Sequence, residues 1–371
     1  MSDHIQHYEV IVLGLGAMGS AVMYELSQSK IQCLGIEQFT PIHDLGSSHG
    51  QTRVIRKAYF EHPDYVPLVL ESYKFWEKYE KEFGVELLVK CGLFTSTDLD
   101  HPVYQGSRLS AQKHYVEFEE LNQIDLAVKF PSFSFFDQKF ALYEPSGGYL
   151  FAERALECWQ KNIHEKYATL QFEEKVQNIE PESSKVTVTT NKNIYSCDQL
   201  IVCAGAWAKK FIPHVPLQAY RMTYHVFEHD DAKDIPIFFF NTPKNNWLYG
   251  FPPIDGKMKI AYHNVHEPCD PDTVNRFVQQ KEIESIYEEA RAYLPKLGKH
   301  VFSKVCLYTM TPDEHFIVCK CSKYNNINIA AGFSGHGFKF SPVVARALVD
   351  LATQGKSIYP IEFLHSDRFS N

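Results

Sequence analysis

Positive charge is scarce in this chain: 37 Lys and Arg stand against 45 Asp and Glu, a formal net charge of −8. That balance excludes nucleic acid or an anionic membrane as a general partner, so any positive site has to be local. Cysteine forms no framework. Cys33, Cys91, Cys158, Cys197, Cys203, Cys269, Cys306, Cys319 and Cys321 are an odd number without paired spacing, which points to a reducing, cytoplasmic setting. Cys319-Lys-Cys321 has the wrong spacing for a zinc knuckle and no second pair stands near it in sequence, so no metal is expected. A long apolar run is also missing. The uncharged stretch Val10 to Tyr24 contains Gly14, Gly16 and Gly19 and falls short of the roughly 20 residues a bilayer requires. Acidic Asp3 and Glu9 precede it where a signal peptide would be basic.

What is present is organised around Tyr8 to Glu37. Tyr8 and Val10-Ile-Val-Leu13 read as a strand buried on both faces of a parallel sheet. It runs into Gly14-Leu-Gly16-Ala17-Met18-Gly19, where glycines permit a tight turn, close approach of backbone to a pyrophosphate and close helix packing. Ala21 to Ser29 supplies the helix, and a second strand, Ile31 to Ile36, ends at Glu37, placed to accept hydrogen bonds from ribose hydroxyls. Strand, glycines, helix, strand and acid in that order predict a dinucleotide site.

With 371 residues, 44% of them apolar, the chain exceeds one compact core and predicts two domains. The loop Pro41 to Ala58 crowds Ser47, Ser48, His49, Thr52, Arg53 and Arg56 around Gly46 and Gly50; the two arginines would share a face if helical, as a binding cluster or as a solvated basic turn. Tyr65 to Phe83 predicts a helix packed by its aromatic side. Leu87 to Thr97 reads as a strand or hairpin, Ala111 to Leu121 as a helix and then a loop, and 122–145 shows little periodicity. A helix over Leu150 to Glu165 and strands at Thr169 to Val176, Lys185 to Thr190 and Asn193 to Ser196 precede a buried strand from Gln199 that ends in Ala204-Gly205-Ala-Trp207 and returns to the nucleotide sheet. From Val215 to Cys306 the aromatic-rich strands Ala219 to Glu228, Ile235 to Phe240, Trp247 to Phe251 and Met258 to His263 predict an antiparallel sheet, with a helix over Asp272 to Tyr293. Alternation sends Lys257, Lys259 and Ala261 to one face of their strand. The strand Asn326 to Ala331, Gly332-Phe-Ser-Gly335-His336-Gly337-Phe338-Lys339 and the helix Val343 to Gln354 then resume the first domain.

Those residues resemble the monomeric sarcosine oxidase family, which includes N-methyl-L-tryptophan oxidase. The markers are GLGAMG, SSHGQTRVIR, YVPLVLESYKFW, YGFP, KMKIAYH, DPDTVNRF, KVCLYTMTPDEHF and GFSGHGFKFSP, which together span nearly the whole chain. The resemblance implies an α/β fold. A Rossmann-like parallel-sheet domain (1–84, 146–214, 307–371) would bind FAD, and a smaller α+β catalytic domain (85–145, 215–306) would hold a mostly antiparallel sheet. It implies FAD bound along Gly14, Gly16, Ala17, Met18, Gly19, Glu37, Gln38, Ser47, Ser48, Thr52, Ala204, Gly205, Trp207, Gly335, His336, Gly337 and Phe338, and attached through a thioether at Cys306. Arg53 and His49 would lie beside the flavin ring and Lys259 over the face where oxygen reacts. Arg56 and Lys339 would bind the substrate carboxylate, with Tyr249 and His263 lining the pocket. The implied activity is that of a cytoplasmic monomer that uses O2 to demethylate small N-methyl amino acids, with pipecolate and fructosyl amines as related substrates. A nicotinamide-dependent dehydrogenase would leave Cys306 and the 332–342 segment without a role; a flavoprotein without turnover would leave Arg56, Lys259 and Lys339 without one. Two departures from the family pattern bear on specificity: Gln51 stands where members commonly carry Asp, and the segment from Phe251 to Lys259 is one residue short of the sarcosine oxidases.

Overall fold

The computed structural model describes residues 5–230, 234–265 and 267–369. The predicted first strand forms as Gln6–Leu13, with Val10 and Val12 in one hydrophobic cluster and Ile11 and Leu13 in another, so both faces are covered. It lies at the centre of a parallel array in the order Ala168–Gln171, Cys33–Ile36, Gln6–Leu13, Ile194–Val202, Ile327–Ala331, and Ile317–Lys320 pairs antiparallel at the far edge. Helices Ala17–Gln28, Tyr65–Phe83, Ala152–Lys161 and Ser341–Gln354 bury their apolar sides in the cluster that holds Val10 and Val12.

A second sheet runs in the order His300–Met310, Gln218–Glu228, Lys257–Tyr262, Trp247–Gly250, Ile237–Asn241, Leu93–Ser96, Phe140–Glu144, Glu119–Asn122. Every pair in it is antiparallel except Ile237–Asn241 beside Leu93–Ser96. The helix Gln280–Tyr293 covers one face, packing with Met258, Ile260 and Phe227. Lys259 and Ala261 point to the opposite face with Tyr224, as the strand alternation predicts.

Several expectations are corrected. Leu87 to Thr97 is no hairpin: Leu88–Val89 joins a small sheet with Gly148–Phe151 and Thr52–Ile55, whereas Leu93–Ser96 enters the second sheet. The chain switches sheets at Gly92, whose φ of 83° suits a glycine. The helix expected from Ala111 instead spans Pro102–Lys113, started by Pro102 and by His101 accepting from the Val103 amide. Its buried side includes Ser107 and Ser110, so apolar periodicity does not mark it. The stretch 122–145 contains the helix Gln123–Lys129, capped on both sides of Asn122, and the strand Phe140–Glu144. Asn193 to Ser196 and the strand from Gln199 are one strand, Ile194–Val202, held in register along the whole of Gln6–Leu13. Residues 272–279 are not helical; Val274 packs with Trp207 and Leu307, and Arg221 takes the carbonyls of Asn275 and Phe277. Arg53 and Arg56 do not sit on a helix, because Thr52–Ile55 is extended.

Candidate active site

One cavity of about 510 Å³ runs between the two large sheets, within the range of small-molecule sites. Every predicted site residue except Gly19 and His49 lies on its wall. At one end the helix Ala17–Gln28 opens without a side-chain cap from Gly16, leaving first-turn N–H groups for an anion. Gly14 has φ 91°, and a Cβ there would lie 2.6 Å from the Cys203 carbonyl; a Cβ on Gly19 would lie 1.8 Å from the Gly14 carbonyl. Gly19 therefore acts behind the wall, by letting helix meet strand. Glu37 is buried, and its carboxylate accepts from the Leu15 and Phe39 amides at 2.9 and 3.0 Å, which fixes the turn that borders the cavity. Ser48 accepts from the Ala17 amide at 3.0 Å. Glycine turn, uncapped helix and buried acid fit the adenosine and pyrophosphate of FAD.

Midway, the loop before Thr52 is pinned to the second sheet. Ser47 donates to the Leu307 carbonyl at 2.6 Å, and the Arg53 guanidinium donates to the carbonyls of Ser47, His49 and Thr52 and lies 4.0 Å from Cys306 Sγ. Cys306 is buried at the cavity wall, opposite Met222 of the strand Gln218–Glu228. Lys259 Nζ donates to the carbonyls of Gly50 and Thr52 at 2.8 and 2.6 Å and lies 4.1 Å from the Phe251 ring centre. Burial, then Arg53, pushes its pKa well below the usual lysine range. His49 is buried behind this wall, and neither ring nitrogen meets a hydrogen-bond partner among the described residues. Burial and Arg53 lower its pKa to about 3, so the ring is neutral. The Gln51 side chain is exposed, and its backbone at φ 55° places its carbonyl to accept from the Ala152 amide at 2.7 Å. The shortened segment closes through a tight Asp255-Gly256 turn with both φ positive, the geometry of a two-residue hairpin.

The far end holds a buried charged cluster. Arg56 Nη2 donates to both Glu61 oxygens at 2.7 and 2.8 Å, Nη1 donates to the Ala58 carbonyl at 2.6 Å, and the guanidinium lies 4.2 Å from the Tyr59 ring centre. Burial would raise the Glu61 carboxyl, but the charge and hydrogen bonds of Arg56, with Lys339, bring it down to about 2. Lys339 Nζ donates to the His336 carbonyl at 2.7 Å and to Tyr59 Oη at 3.3 Å; burial, then Arg56, lowers its pKa to about 7. The His336 ring, pushed by burial to about 3, is neutral. Its Nε2 faces the Glu314 carbonyl and so carries the proton, which leaves Nδ1 to accept from Tyr59 at 2.6 Å.

Sequence reading missed Glu61, Tyr308, Phe239 and Trp247, all of which line this end. A buried arginine requires a counter-charge, so an acid five residues along the loop was the available signal for Glu61. Tyr308 Oη lies 3.4 Å from His263 Nδ1, and Tyr249 stacks on Phe239 at 5.2 Å between ring centres. The first contact joins segments far apart in sequence, and the second is a cross-strand pair whose register the sequence does not reveal.

The FAD dependent oxidoreductase family model matches residues 9–351. The chain is 35% identical to monomeric sarcosine oxidase of Streptomyces avermitilis over 367 residues, covering 95% of this chain and 96% of that protein. It is 30% identical to N-methyl-L-tryptophan oxidase of Yersinia pestis over 370 residues, covering 98% and 99%. Among solved structures it superposes on NikD, an unusual amino acid oxidase essential for nikkomycin biosynthesis, with a TM-score of 0.88 at 22% identity, covering 97% of each chain. L-proline dehydrogenase from P. horikoshii gives 0.87 at 21%, covering 99% of this chain and 98% of that one. With the glycine turn, Glu37 and the cavity they border in place, the chain belongs to the FAD-dependent oxidoreductases, in the family of monomeric sarcosine oxidase and N-methyl-L-tryptophan oxidase.

Proposed function

We propose that this enzyme oxidises the N-methyl group of N-methyl amino acids of the sarcosine type, converting substrate, O2 and water to the demethylated amino acid, formaldehyde and hydrogen peroxide. The supporting observation is one cavity that joins a dinucleotide-binding end to the buried charged cluster of Arg56, Glu61 and Lys339, with Cys306 and Lys259 between them. When bound, FAD supplies the two-electron acceptor that is reoxidised by oxygen. On this reading residues 1–84, 146–214 and 307–371 hold FAD, and 85–145 and 215–306 present the substrate.

Lys339 binds the substrate carboxylate as a point charge in a desolvated pocket. Glu61 occupies Arg56 Nη2 and the Ala58 carbonyl occupies Nη1, so a carboxylate that uses both cations displaces Glu61 from the guanidinium. Tyr249, Tyr308 and His263 hold the amine end away from bulk water, and imine hydrolysis completes the reaction after oxidation. Lys259 has a charge that burial disfavours, and it gains most when oxygen reduction places an anion nearby. His49 and Arg53 order the loop beside Cys306, which we assign the thioether to FAD. Nine unpaired thiols support a cytoplasmic setting, and we place the enzyme there as a monomer.

A second substrate reading has its own support: Phe60, Phe239, Trp247 and Tyr249 line the substrate end, a surface suited to an aromatic amino-acid side chain. A peroxide-coupled screen with sarcosine, N-methyltryptophan, pipecolate and a fructosyl amine decides. Peroxide from sarcosine alone sustains the first reading, and preference for N-methyltryptophan sustains the second. A flavin-loaded protein that yields no peroxide with any of the four overturns both.

A further inference from the structure

Glu144 ends the strand Phe140–Glu144 of the second sheet and has no exposed surface. Its carboxylate does not touch the cavity. Oε1 and Oε2 accept from the Lys57 amide at 2.8 and 3.0 Å, Oε2 accepts from the Ala58 amide at 2.8 Å, and the Ser146 hydroxyl donates to Oε1 at 3.0 Å. A buried carboxylate is costly unless its oxygens are satisfied, and here the acceptors are spent on two consecutive backbone amides that follow Arg56. The Ala58 carbonyl is in turn the acceptor for Arg56 Nη1, and Glu61, which accepts from Nη2, lies on the same short loop. The peptide run that sets where Arg56 and Glu61 stand is thus anchored from another sheet.

We propose that Glu144 is a positioning residue for the carboxylate site: by holding the Lys57 and Ala58 amides it fixes the Arg56–Glu61 loop, and so tunes affinity for the carboxylate of the substrate without taking part in electron transfer. The proposal rests on the assignment of Arg56 and Lys339 to that carboxylate. Glu144→Gln keeps size but turns an NH2 toward one amide donor, and Glu144→Asp keeps charge but withdraws it from both.

The test uses flavin-loaded protein and acetate as the probe, with binding read from the flavin absorbance change. Wild type and both variants are compared for acetate Kd, for KM and kcat with the best substrate, and for reoxidation of reduced enzyme by oxygen. The proposal expects acetate Kd and KM to rise together by roughly tenfold or more, as loss of one buried acceptor implies. It also expects reoxidation near wild type, with Glu144→Gln the more affected variant. Should Glu144→Gln fail to fold, Glu144→Asp alone has to show the same split. Unchanged Kd and KM in a folded variant overturn the proposal while leaving the carboxylate assignment intact, as does an equal loss in all three measurements, which marks a merely structural carboxylate. A wild type that binds no acetate and oxidises no N-methyl amino acid overturns the carboxylate assignment and this proposal with it.

Discussion

Lys259 and Lys339 occupy one cavity with different surroundings, and the difference assigns them different work. Lys259 faces two backbone carbonyls and Arg53, with no carboxylate in hydrogen-bond contact among the described residues, whereas Lys339 lies among Tyr59, Arg56 and Glu61. Replacing Lys259 by Met should slow reoxidation of reduced enzyme by roughly 10²–10³-fold, the loss typical of one charge-stabilising donor. Anaerobic reduction by substrate should slow far less, and exposed Lys257→Met should leave both rates near wild type. Stopped-flow traces in which Lys259→Met slows both half-reactions equally would reject the assignment. For Lys339 the pKa of about 7 predicts a pH dependence. An anion binds the protonated lysine, so acetate Kd should be flat below pH 7 and rise about tenfold per unit above it. Lys339→Met should bind acetate more weakly and lose the step; a wild-type Kd constant from pH 6 to 9 would place the anion elsewhere. Strand alternation gave the face on which Lys259 stands, while the roles of both lysines came from the family resemblance alone. Glu61, which already holds the other cation of the pair, was not singled out, because its role appears only once Arg56 is known to be buried.

The elements that could be read were those whose local pattern and tertiary role agree. Tyr65–Phe83 forms over its predicted span because its buried aromatics recur at helical spacing and Gly84 ends it with φ 67°. Gln6–Leu13 and its glycine turn agree for the same reason. Elements failed where distant contacts override the pattern: the serines on the buried side of Pro102–Lys113, the sheet switch at Gly92, and the unwound 272–279, pulled onto Trp207 and Arg221. The glycine turn gives a prediction at this scale. A methyl at Gly19 would meet the Gly14 carbonyl, and because that neighbour is backbone it cannot shift easily. Gly19→Ala should destabilise the protein by about 1–3 kcal/mol through overpacking and lower the flavin-to-protein absorbance ratio of the purified enzyme. A variant with full flavin content and unchanged thermal unfolding would show that helix and strand tolerate separation there.

For the molecule as a whole, an acidic net charge and a cationic cavity are compatible because the cavity's positive groups are few, with Arg56 and Lys339 buried and Arg53 and Lys259 half-buried. What composition does not reveal is that the cavity takes its walls from both sheets, with Gly14 and Glu37 on one and Lys259 and Cys306 on the other. A cofactor in that cavity binds the folded arrangement and not the unfolded chain, so it stabilises by mass action, by about 2.7 kcal/mol at a hundredfold excess over Kd. A thioether at Cys306 would remove that dependence on concentration, because the ligand would remain attached through unfolding. Wild-type protein precipitated with acid should therefore keep its yellow colour in the pellet, and its melting temperature should not respond to added FAD. Cys306→Ser should release flavin to the supernatant and melt lower after dialysis, then recover with added FAD in proportion to the logarithm of its concentration. A colourless wild-type pellet would overturn the covalent link. A Cys306→Ser protein whose melting temperature ignores FAD would overturn the stronger claim, that the cofactor holds the two sheets in their folded relation.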